Sequence, residues 1–257
     1  MVSLRPVGGH AALRRAAASE GARVLALSPW RLVPRDDPAA APALVAALAA
    51  PVVVFTSPAA AECAARHQPL RPADGARWLA VGSGTARALQ RAGATAVAPA
   101  RMDTEGLLGL PQLQDVAGLE IGLVTAPGGR GELAPELARR GARVLRADVY
   151  LREAVPLAPR AIAALRRLDG PAWLALSSAE ALDRVLDALP SDARTALLAA
   201  NVVAASERLA QLARTRGFAP AVVAASARPH DLMAAAGAAR AAASISMTRP
   251  DAPAGRT

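Results

Sequence analysis

Residues 120–150 constrain the fold of this chain more than any other stretch of it. A short apolar run at 121–125 leads into a glycine-containing loop at 128–131 and then into an amphipathic segment. Gly141 ends that segment, and a second apolar run follows directly. Strand, loop, helix, glycine stop and strand within about 30 residues are typical of one βαβ unit. Because such a crossover joins parallel strands, we predict a parallel sheet covered by helices.

A lone tyrosine closes this unit. Tyr150 is the only tyrosine of the chain, and the proline-rich segment 155–159 comes shortly after it. A cleft between two domains would hold a reactive hydroxyl at such a place, at the end of a strand and beside a linker. Tyr150 is therefore a candidate catalytic residue. The alternative is a packing residue whose hydroxyl is bonded to the backbone.

Strand and helix patterns alternate along the chain, which is typical of α/β folds. Two proline-containing stretches interrupt the alternation, and we interpret them as two crossings between two lobes. The predicted fold is α/β, with two similar lobes, each a parallel sheet flanked by helices, joined by a two-stranded linker. The predicted boundaries are 1–30 plus 158–241 for a discontinuous lobe one, 38–149 for lobe two, 31–37 and 150–157 for the interdomain linkers, and 242–257 for a disordered tail.

An internal repeat supports two lobes of similar plan. The segment FTSPAAA at 55–61 corresponds to ALSSAEA at 175–181. The strand, loop, helix and glycine at 78–93 correspond to those at 202–217. Few residues are identical between the paired segments, so the repeat is recognised by the order of its strands, loops and helices.

Charge restricts the class of partner. The chain carries a net charge of +9, and all 30 of its basic residues are arginine, which favours an anionic ligand. Only 2% of the residues are aromatic, which leaves few surfaces on which bases could stack, and the arginines are scattered. We therefore expect an acidic small molecule as the partner and no nucleic acid.

Cysteine and histidine usage argues against a disulfide or a metal site. Cys63 is the single cysteine, which fits a reducing compartment, and no signal peptide is apparent at the N-terminus. The three histidines lie far apart and lack the spacing of metal ligands. The longest apolar region, 39–55, contains two prolines, so it is better interpreted as a helix and a strand than as a membrane span. We expect a cytoplasmic protein without a metal and without a membrane contact.

The loops that follow the predicted strands share a chemical character. Ligands of parallel α/β sheets bind beyond the carboxyl ends of the strands, where backbone N–H groups at helix starts can bind anions. Several loops at this edge would together bind a molecule with many carboxylates or phosphates. The candidate ligand-binding residues are Arg5, Ser57, Gly82, Ser83, Gly128, Gly129, Arg130, Ser177, Ser178 and Ser206, with Thr85 beside them.

Structural roles are the alternative for each of these residues. Ser57 and Ser177 could serve only as helix caps. The loop 82–85 lacks the third glycine of a dinucleotide-binding motif and the lysine of a P-loop. Gly128 and Gly129 could form a plain turn, and Arg130 could be a solvated side chain.

Several short segments, taken in order, resemble uroporphyrinogen-III synthase, the cyclase family of the haem pathway. The resemblance covers about residues 2–240 and looks like the proteobacterial form. It rests on Arg5-Pro6, FTSPAAA at 55–61, VGSGTARAL at 81–89, DTEGLL at 103–108, APGGRGEL at 126–133 with Gly141 and Val149-Tyr150, LSSAEAL at 176–182 and SERLAQLARTRGF at 206–218.

The resemblance implies a substrate and a reaction. The substrate would be hydroxymethylbilane, a linear tetrapyrrole with eight carboxylates, which loses water and closes with its D ring inverted through a spiro intermediate. The family uses no cofactor and no metal. Tyr150 matches the family's tyrosine and would assist departure of the hydroxide. Thr85 matches the threonine of the family's G-x-x-T-A loop and is the second candidate catalytic residue. The other candidate residues would bind carboxylates, largely through backbone N–H groups. We expect a monomer that can contact the preceding pathway enzyme transiently.

The chain departs from the family pattern at two places. Ser206-Glu207-Arg208 stands where many members repeat the G-x-x-T-A loop, and Leu4 precedes Arg5 where a threonine is usual. The rival hypothesis is a non-catalytic two-lobed module that binds a tetrapyrrole or another polyanionic metabolite. Tyr150 and the intact glycine loop favour the enzyme.

Overall fold

A computed structural model describes residues 1–101, 104–128, 131–219 and 221–247. The chain forms two compact units. Unit 1 comprises Met1–Arg31 and Ala154–Thr257, and unit 2 comprises Leu32–Glu153.

Strands and helices alternate in both units. The strands are β1 (Val2–Ser3), β2 (Leu25–Ala26), β3 (Trp30–Pro34), β4 (Val52–Phe55), β5 (Arg77–Ala80), β6 (Glu120–Thr125), β7 (Arg143–Asp148), β8 (Tyr150–Ala154), β9 (Trp173–Leu176), β10 (Asn201–Ala204) and β11 (Ala221–Val223). The helices are α1 (Ala11–Ala18), α2 (Ala40–Leu48), α3 (Pro58–His67), α4 (Ser83–Arg91), α5 (Thr104–Leu108), α6 (Leu133–Arg139), α7 (Pro159–Arg166), α8 (Ala179–Ala188), α9 (Ser191–Leu198), α10 (Glu207–Thr215) and α11 (Pro229–Met247), with a 3₁₀ turn at Pro111–Leu113.

Unit 1 contains a five-stranded sheet in the order β11-β10-β9-β1-β2. All of its strand pairs are parallel, and Val2 of β1 lies opposite Leu25 on one side and Leu174 on the other. Leu13 of α1, Val203 of β10 and Leu232 of α11 belong to one buried cluster on this sheet. The carboxyl ends of all five strands therefore meet at one edge.

Unit 2 contains a four-stranded sheet in the order β5-β4-β6-β7, and its pairs are also parallel. Val53 and Phe55 of β4 pack into one buried cluster, and Val52 and Val54 pack into another. Successive strand residues point to opposite faces, so a strand covered on both faces must be apolar throughout. This is the physical reason for the uninterrupted run VVVF. Both sheets confirm the predicted fold class.

Both segments that we expected to link the lobes contain a strand, and β3 pairs with β8 in a two-stranded sheet. The Arg35 N–H donates to the Val149 carbonyl at 3.0 Å, and the Val155 N–H donates to the Pro29 carbonyl at 3.1 Å. Tyr150 is therefore the first residue of β8 and lies two residues after the end of β7.

The alternating pattern also predicts a strand at 95–98 and helices at 86–91 and 231–241, with no helix between 190 and 200, and the structure differs at these four places. The predicted strand 95–98 is reduced to a single bridge of Val97 with Leu79, because Pro99 has no N–H with which to continue the ladder. Helix α4 begins at Ser83 instead of residue 86. Helix α9 was not predicted, and its buried side chains are only Ala193 and Leu197. Helix α11 runs to Met247, past the predicted end at 241, because its alanines continue to favour a helix; residues 248–257 lie outside the described part.

The close approach of α2 to β6 requires glycine at position 122. A Cβ atom on Gly122 would lie 1.8 Å from the Ala47 carbonyl oxygen, so either the helix or the strand would have to move. We expect Gly122→Ala to lower the free energy of unfolding by about 2 kcal/mol, as other overpacked cores do. Urea denaturation measures the change.

Gly237→Ala is the matched control, because a Cβ atom on Gly237 meets nothing within 4 Å. Gly237 lies inside α11, where alanine is preferred to glycine by about 1 kcal/mol. Equal stability of the Gly122→Ala variant and the unaltered protein would contradict the packing described for α2.

Within the described ranges, no helix is both long enough and apolar enough to cross a bilayer.

Candidate functional site

Polar side chains gather at the carboxyl edge of the sheet in unit 2. Thr56 and Ser57 follow β4, Gly82 and Ser83 follow β5, and Tyr150 follows β7 after one residue. Since neighbouring parallel strands end at the same edge, the topology brings these separate segments together.

Tyr150 and Ser57 form a pair of hydroxyls at this edge. The Tyr150 Oη and Ser57 Oγ atoms are 3.2 Å apart, and either of them can donate the proton. The Tyr150 side chain is only 4% exposed, and it belongs to the buried cluster that contains Phe55. Tyr150 thus packs in the core, and its hydroxyl contacts a side chain at the sheet edge.

Ser57 is also the N-cap of α3. Its Oγ accepts the Ala60 N–H at 3.0 Å, and Pro58 occupies the first helical position. Ser57 therefore keeps its own proton for a second hydrogen bond. If Ser57 donates that proton to the phenol oxygen, the Tyr150 proton is left for another acceptor. If Tyr150 donates, the Ser57 proton is left instead.

A threonine pair connects two strand ends of the same sheet. Phe55 lies opposite Val124, so Thr56 and Thr125 are adjacent in the register. The Thr56 hydroxyl donates to Thr125 Oγ1 at 2.7 Å. Sequence reasoning missed this pair; the signal was a threonine at the end of each of two apolar runs, VVVFT and IGLVT.

The predicted glycine-serine loop forms the start of α4. Gly82 is the N-cap, with extended backbone, and Ser83, Gly84 and Thr85 lie in the first turn. The first N–H groups of a helix lack a carbonyl four residues earlier, which is the feature that binds anions. Thr85 is only 2% exposed and lies on the buried face of α4 with Ala88 and Leu89.

The segment before the glycine loop is held by two arginines that sequence reasoning did not single out. The Arg146 Nη2 donates to the Ala126 carbonyl at 3.1 Å, and the Arg152 Nη1 donates to the Pro127 carbonyl at 3.4 Å. Gly128 then takes a left-handed conformation with φ 82°. The predicted site residues Gly129 and Arg130 lie outside the described residues.

In unit 1, two of the predicted serines cap helices. The Ser178 Oγ accepts the Ala181 N–H at 3.2 Å, and the Ser206 Oγ accepts the Leu209 N–H at 3.4 Å. Ser177, for which a helix cap was the alternative to ligand binding, is not a cap, because it precedes the N-cap and is exposed. In the structure Ser57 corresponds to Ser178, one residue later than the sequence repeat implied.

Comparison of segment 78–93 with segment 202–217 shows why unit 1 has no second G-x-x-T-A loop. Gly82 and Ser206 are both N-caps, 124 residues apart, and Gly93 and Gly217 end the two helices with φ 86° and 89°. At the same spacing Leu209 corresponds to Thr85, and both side chains are buried. A serine side chain therefore caps α10 where a glycine begins α4, and leucine takes the place of a second threonine.

Arg5 and His10 follow β1 at the carboxyl edge of unit 1. The Arg5 Nη2 donates to the Ala227 carbonyl at 3.2 Å, and burial lowers the pKa of Arg5. His10 is 3% exposed, with Nδ1 3.0 Å from Ser3 Oγ and Nε2 2.8 Å from Ser28 Oγ. Burial, assisted by the positive charges of Arg14 and Arg5, lowers the pKa of His10 to about 4.

His10 was missed because the histidines were considered only as metal ligands. The available signal was local: Ser3 ends β1, Ser28 lies two residues after β2, and His10 precedes a helix. Among the described residues, no three His, Cys, Asp or Glu side chains are grouped so that they could hold a metal ion.

Known proteins resemble this chain in sequence and in fold. The profile of the family described as uroporphyrinogen-III synthase HemD matches residues 11–234. A uroporphyrinogen-III synthase of Salmonella typhimurium is 33% identical over 151 residues, which are 58% of this chain and 60% of that protein. This chain thus spans about three fifths of the length of the curated relative that it matches.

Two solved structures share the fold at low sequence identity. A mutant uroporphyrinogen III synthase of Thermus thermophilus aligns with a TM-score of 0.62 and 21% identity, over 95% of this chain and 98% of its own. The uroporphyrinogen-III synthetase of Helicobacter pylori aligns with a TM-score of 0.57 and 15% identity, over 85% and 93%. Because the family profile covers most of the sequence, the chain belongs to the uroporphyrinogen-III synthase family.

Proposed function

We propose that the protein is a uroporphyrinogen-III synthase, which cyclises hydroxymethylbilane to uroporphyrinogen III with inversion of the D ring and loss of water. Family membership supports the proposal. The single observation that carries it is the pair of Tyr150 and Ser57 hydroxyls, 3.2 Å apart at the carboxyl edge of a parallel sheet. Such a pair can supply one proton to a leaving group without a metal.

Tyr150 is the proposed proton donor. Its proton passes to the hydroxyl that leaves the substrate, the carbon–oxygen bond breaks with its electron pair on oxygen, and water departs. The azafulvene is left as its N-protonated, electrophilic cation and is attacked by the substituted carbon of ring D to give the spiro intermediate. That intermediate rearranges to the closed ring, and the proton lost on rearomatisation returns to the Tyr150 phenolate. Ser57 donates to the phenol oxygen, which leaves the Tyr150 proton directed to the substrate.

Orientation of the substrate is the larger part of the proposed catalysis, because the reactive carbons must meet in one geometry out of several. Thr85 lies in the first turn of α4, and we propose it as the second catalytic residue. The helix starts that follow the strands supply N–H donors for the substrate carboxylates. The proposed binding residues remain Arg5, Ser57, Gly82, Ser83, Gly128, Gly129, Arg130, Ser177, Ser178 and Ser206, with Gly129 and Arg130 proposed from the sequence alone.

An isomer assay tests the function. Hydroxymethylbilane closes unaided to the type I ring, so the protein is added, the product is oxidised, and types I and III are separated by chromatography. Mostly type III without added metal or cofactor is expected. Type I at the rate of buffer alone would overturn the proposal and favour the rival, a non-catalytic module that binds a tetrapyrrole or another polyanion.

The proposal also covers the compartment, the oligomeric state and a transient partner of the protein. A single cysteine, which is buried at position 63, suits a reducing compartment, so we place the protein in the cytoplasm. We also assign it a monomeric state and a transient contact with the enzyme that supplies its substrate. Sedimentation velocity in the presence and absence of that enzyme tests both assignments.

A further inference from the structure

Unit 1 contains a cavity that is lined by two arginines. The cavity has a volume of about 550 Å³ and opens beside the loop that follows β1, strand β2 itself and Ser28, which lies two residues after β2. Arg14 and Arg160 both line it, and none of the lining residues that the structure describes is acidic. A second cavity of unit 1, about 890 Å³, is lined instead by Glu180, Asp183 and Asp187 together with Arg184. The first cavity is therefore suited to an anion and the second is not.

The two arginines of the first cavity have no carboxylate partner among the described residues. Other arginines of unit 1 do form ion pairs, such as Arg166 with Asp192 and Arg216 with Asp183. Arg14 instead lies near a buried histidine, whose pKa its charge helps to lower. Two exposed arginines that line one cavity and have no carboxylate partner in the described part of the chain would gain from a ligand that carries two carboxylates.

A buried hydrogen-bond chain supplies a third donor to the same cavity. The imidazole of His10 lies between the Ser3 and Ser28 hydroxyls, at 3.0 and 2.8 Å. A neutral imidazole has one N–H, so it donates to one serine and accepts from the other. When Ser3 donates to Nδ1 and Nε2–H donates to Ser28, the Ser28 proton is left to donate into the cavity that Ser28 lines.

The rest of the lining is largely apolar. The apolar residues of the lining include Val7, Leu25, Val155 and Pro156, and Val7 is 57% exposed. An apolar wall with two cationic groups and one hydroxyl donor fits a flat ring that carries acidic substituents. A tetrapyrrole with eight carboxylates carries two for each of its four rings, and the cavity presents two arginines.

We propose that this cavity of unit 1 binds one pyrrole ring of the substrate, with Arg14 and Arg160 on its two carboxylates and Ser28 as an additional donor. The proposal rests on the proposed function, because it takes the tetrapyrrole as the ligand. It adds residues that lie outside the loops assigned to substrate binding above.

Kinetics of type III formation test the proposal. We expect Arg14→Gln and Arg160→Gln each to raise KM about 10-fold, the loss typical of one charge-assisted contact, while kcat stays within about 3-fold. Ser28→Ala should raise KM about 5-fold, and Ser28→Thr, which keeps the hydroxyl, should restore it.

Arg15→Gln and Arg167→Gln are the matched controls. They lie on the same two helical segments as Arg14 and Arg160 and remove the same charge, but they do not line the cavity. KM values within about 2-fold of the unaltered protein are expected for both controls. Equal effects of the cavity and control variants would show that only net charge matters and would overturn the proposal.

A binding measurement separates failure of the cavity from failure of the proposed function. If the unaltered protein forms no type III product, the function fails, and the cavity is judged by ligand-observed NMR with pyrrole-3,4-dicarboxylate as the probe. Binding that is weakened at least about 5-fold in the double Arg14→Gln, Arg160→Gln variant, but not in the double control, supports the cavity. Absent binding, or equal binding in both double variants, overturns it.

Discussion

Tyr150→Phe is expected to lower kcat for type III formation about 100-fold, the lower end of what a positioned general acid contributes. Phenylalanine keeps the ring in the buried cluster that contains Phe55, so the fold should survive. Only the hydroxyl that contacts Ser57 is lost. KM should change by no more than about 3-fold, because the loss falls on the transition state.

Two variants separate proton donation from packing. Ser57→Ala removes the partner of the phenol and the cap of α3, so we expect a smaller loss in kcat, about 10-fold, together with about 1 kcal/mol of stability. Thr56→Val removes a hydroxyl at the same sheet edge that is already bonded to Thr125, and it should leave kcat within about 3-fold. A kcat for Tyr150→Phe within about 2-fold of the unaltered protein would remove Tyr150 from the mechanism.

Elements whose start is decided by local chemistry could be predicted from the sequence. The β-branched run at 52–55 predicts a buried strand, and Ser57 followed by Pro58 predicts a helix start; β4 and α3 have these bounds. The capping serine and the fixed φ of proline act within a few residues, so no knowledge of the fold is needed.

Elements that depend on distant partners could not be predicted. Strands β3 and β8 pair although they lie far apart in the chain, and each was interpreted only as a linker because prolines and charges surround it. Helix α9 was missed because few of its residues face the core. Pairing and burial of this kind are set by tertiary contacts and leave little periodicity in the sequence.

The candidate site shows the same division. Ser57, Ser178 and Ser206 were found because strand, serine and helix are adjacent in the chain. The contact of Ser57 with Tyr150, 93 residues away, and the Thr56–Thr125 bond depend on the register of the sheet. The hydrogen-bonded group of Ser3, His10 and Ser28 was missed for a different reason. None of the three residues belongs to a recognisable motif, and His10 gains a chemical role only because its imidazole is buried between two hydroxyls.

Burial of His10 is also expected to make stability depend on pH. Its pKa is about 4 in the folded protein and about 6.5 in an unfolded chain, so the unfolded state takes up a proton first as the pH falls. The stabilisation from neutral His10 is complete above about pH 6.5 and is lost progressively toward about pH 4. Between about pH 7.5 and pH 5 the expected loss is about 2 kcal/mol in the free energy of unfolding.

Urea denaturation at several pH values, with two variants beside the unaltered protein, measures this loss. His10→Gln keeps hydrogen-bonding groups near Ser3 and Ser28 but does not titrate, so its stability should be lower at about pH 7.5 and nearly flat down to about pH 5. His230→Gln should follow the unaltered protein, because the His230 side chain is 89% exposed. The carboxylates with lowered pKa, such as Glu136 at about 2, lose their contribution only below this range. An equally steep profile for His10→Gln would show that another group titrates and that His10 is not the cause.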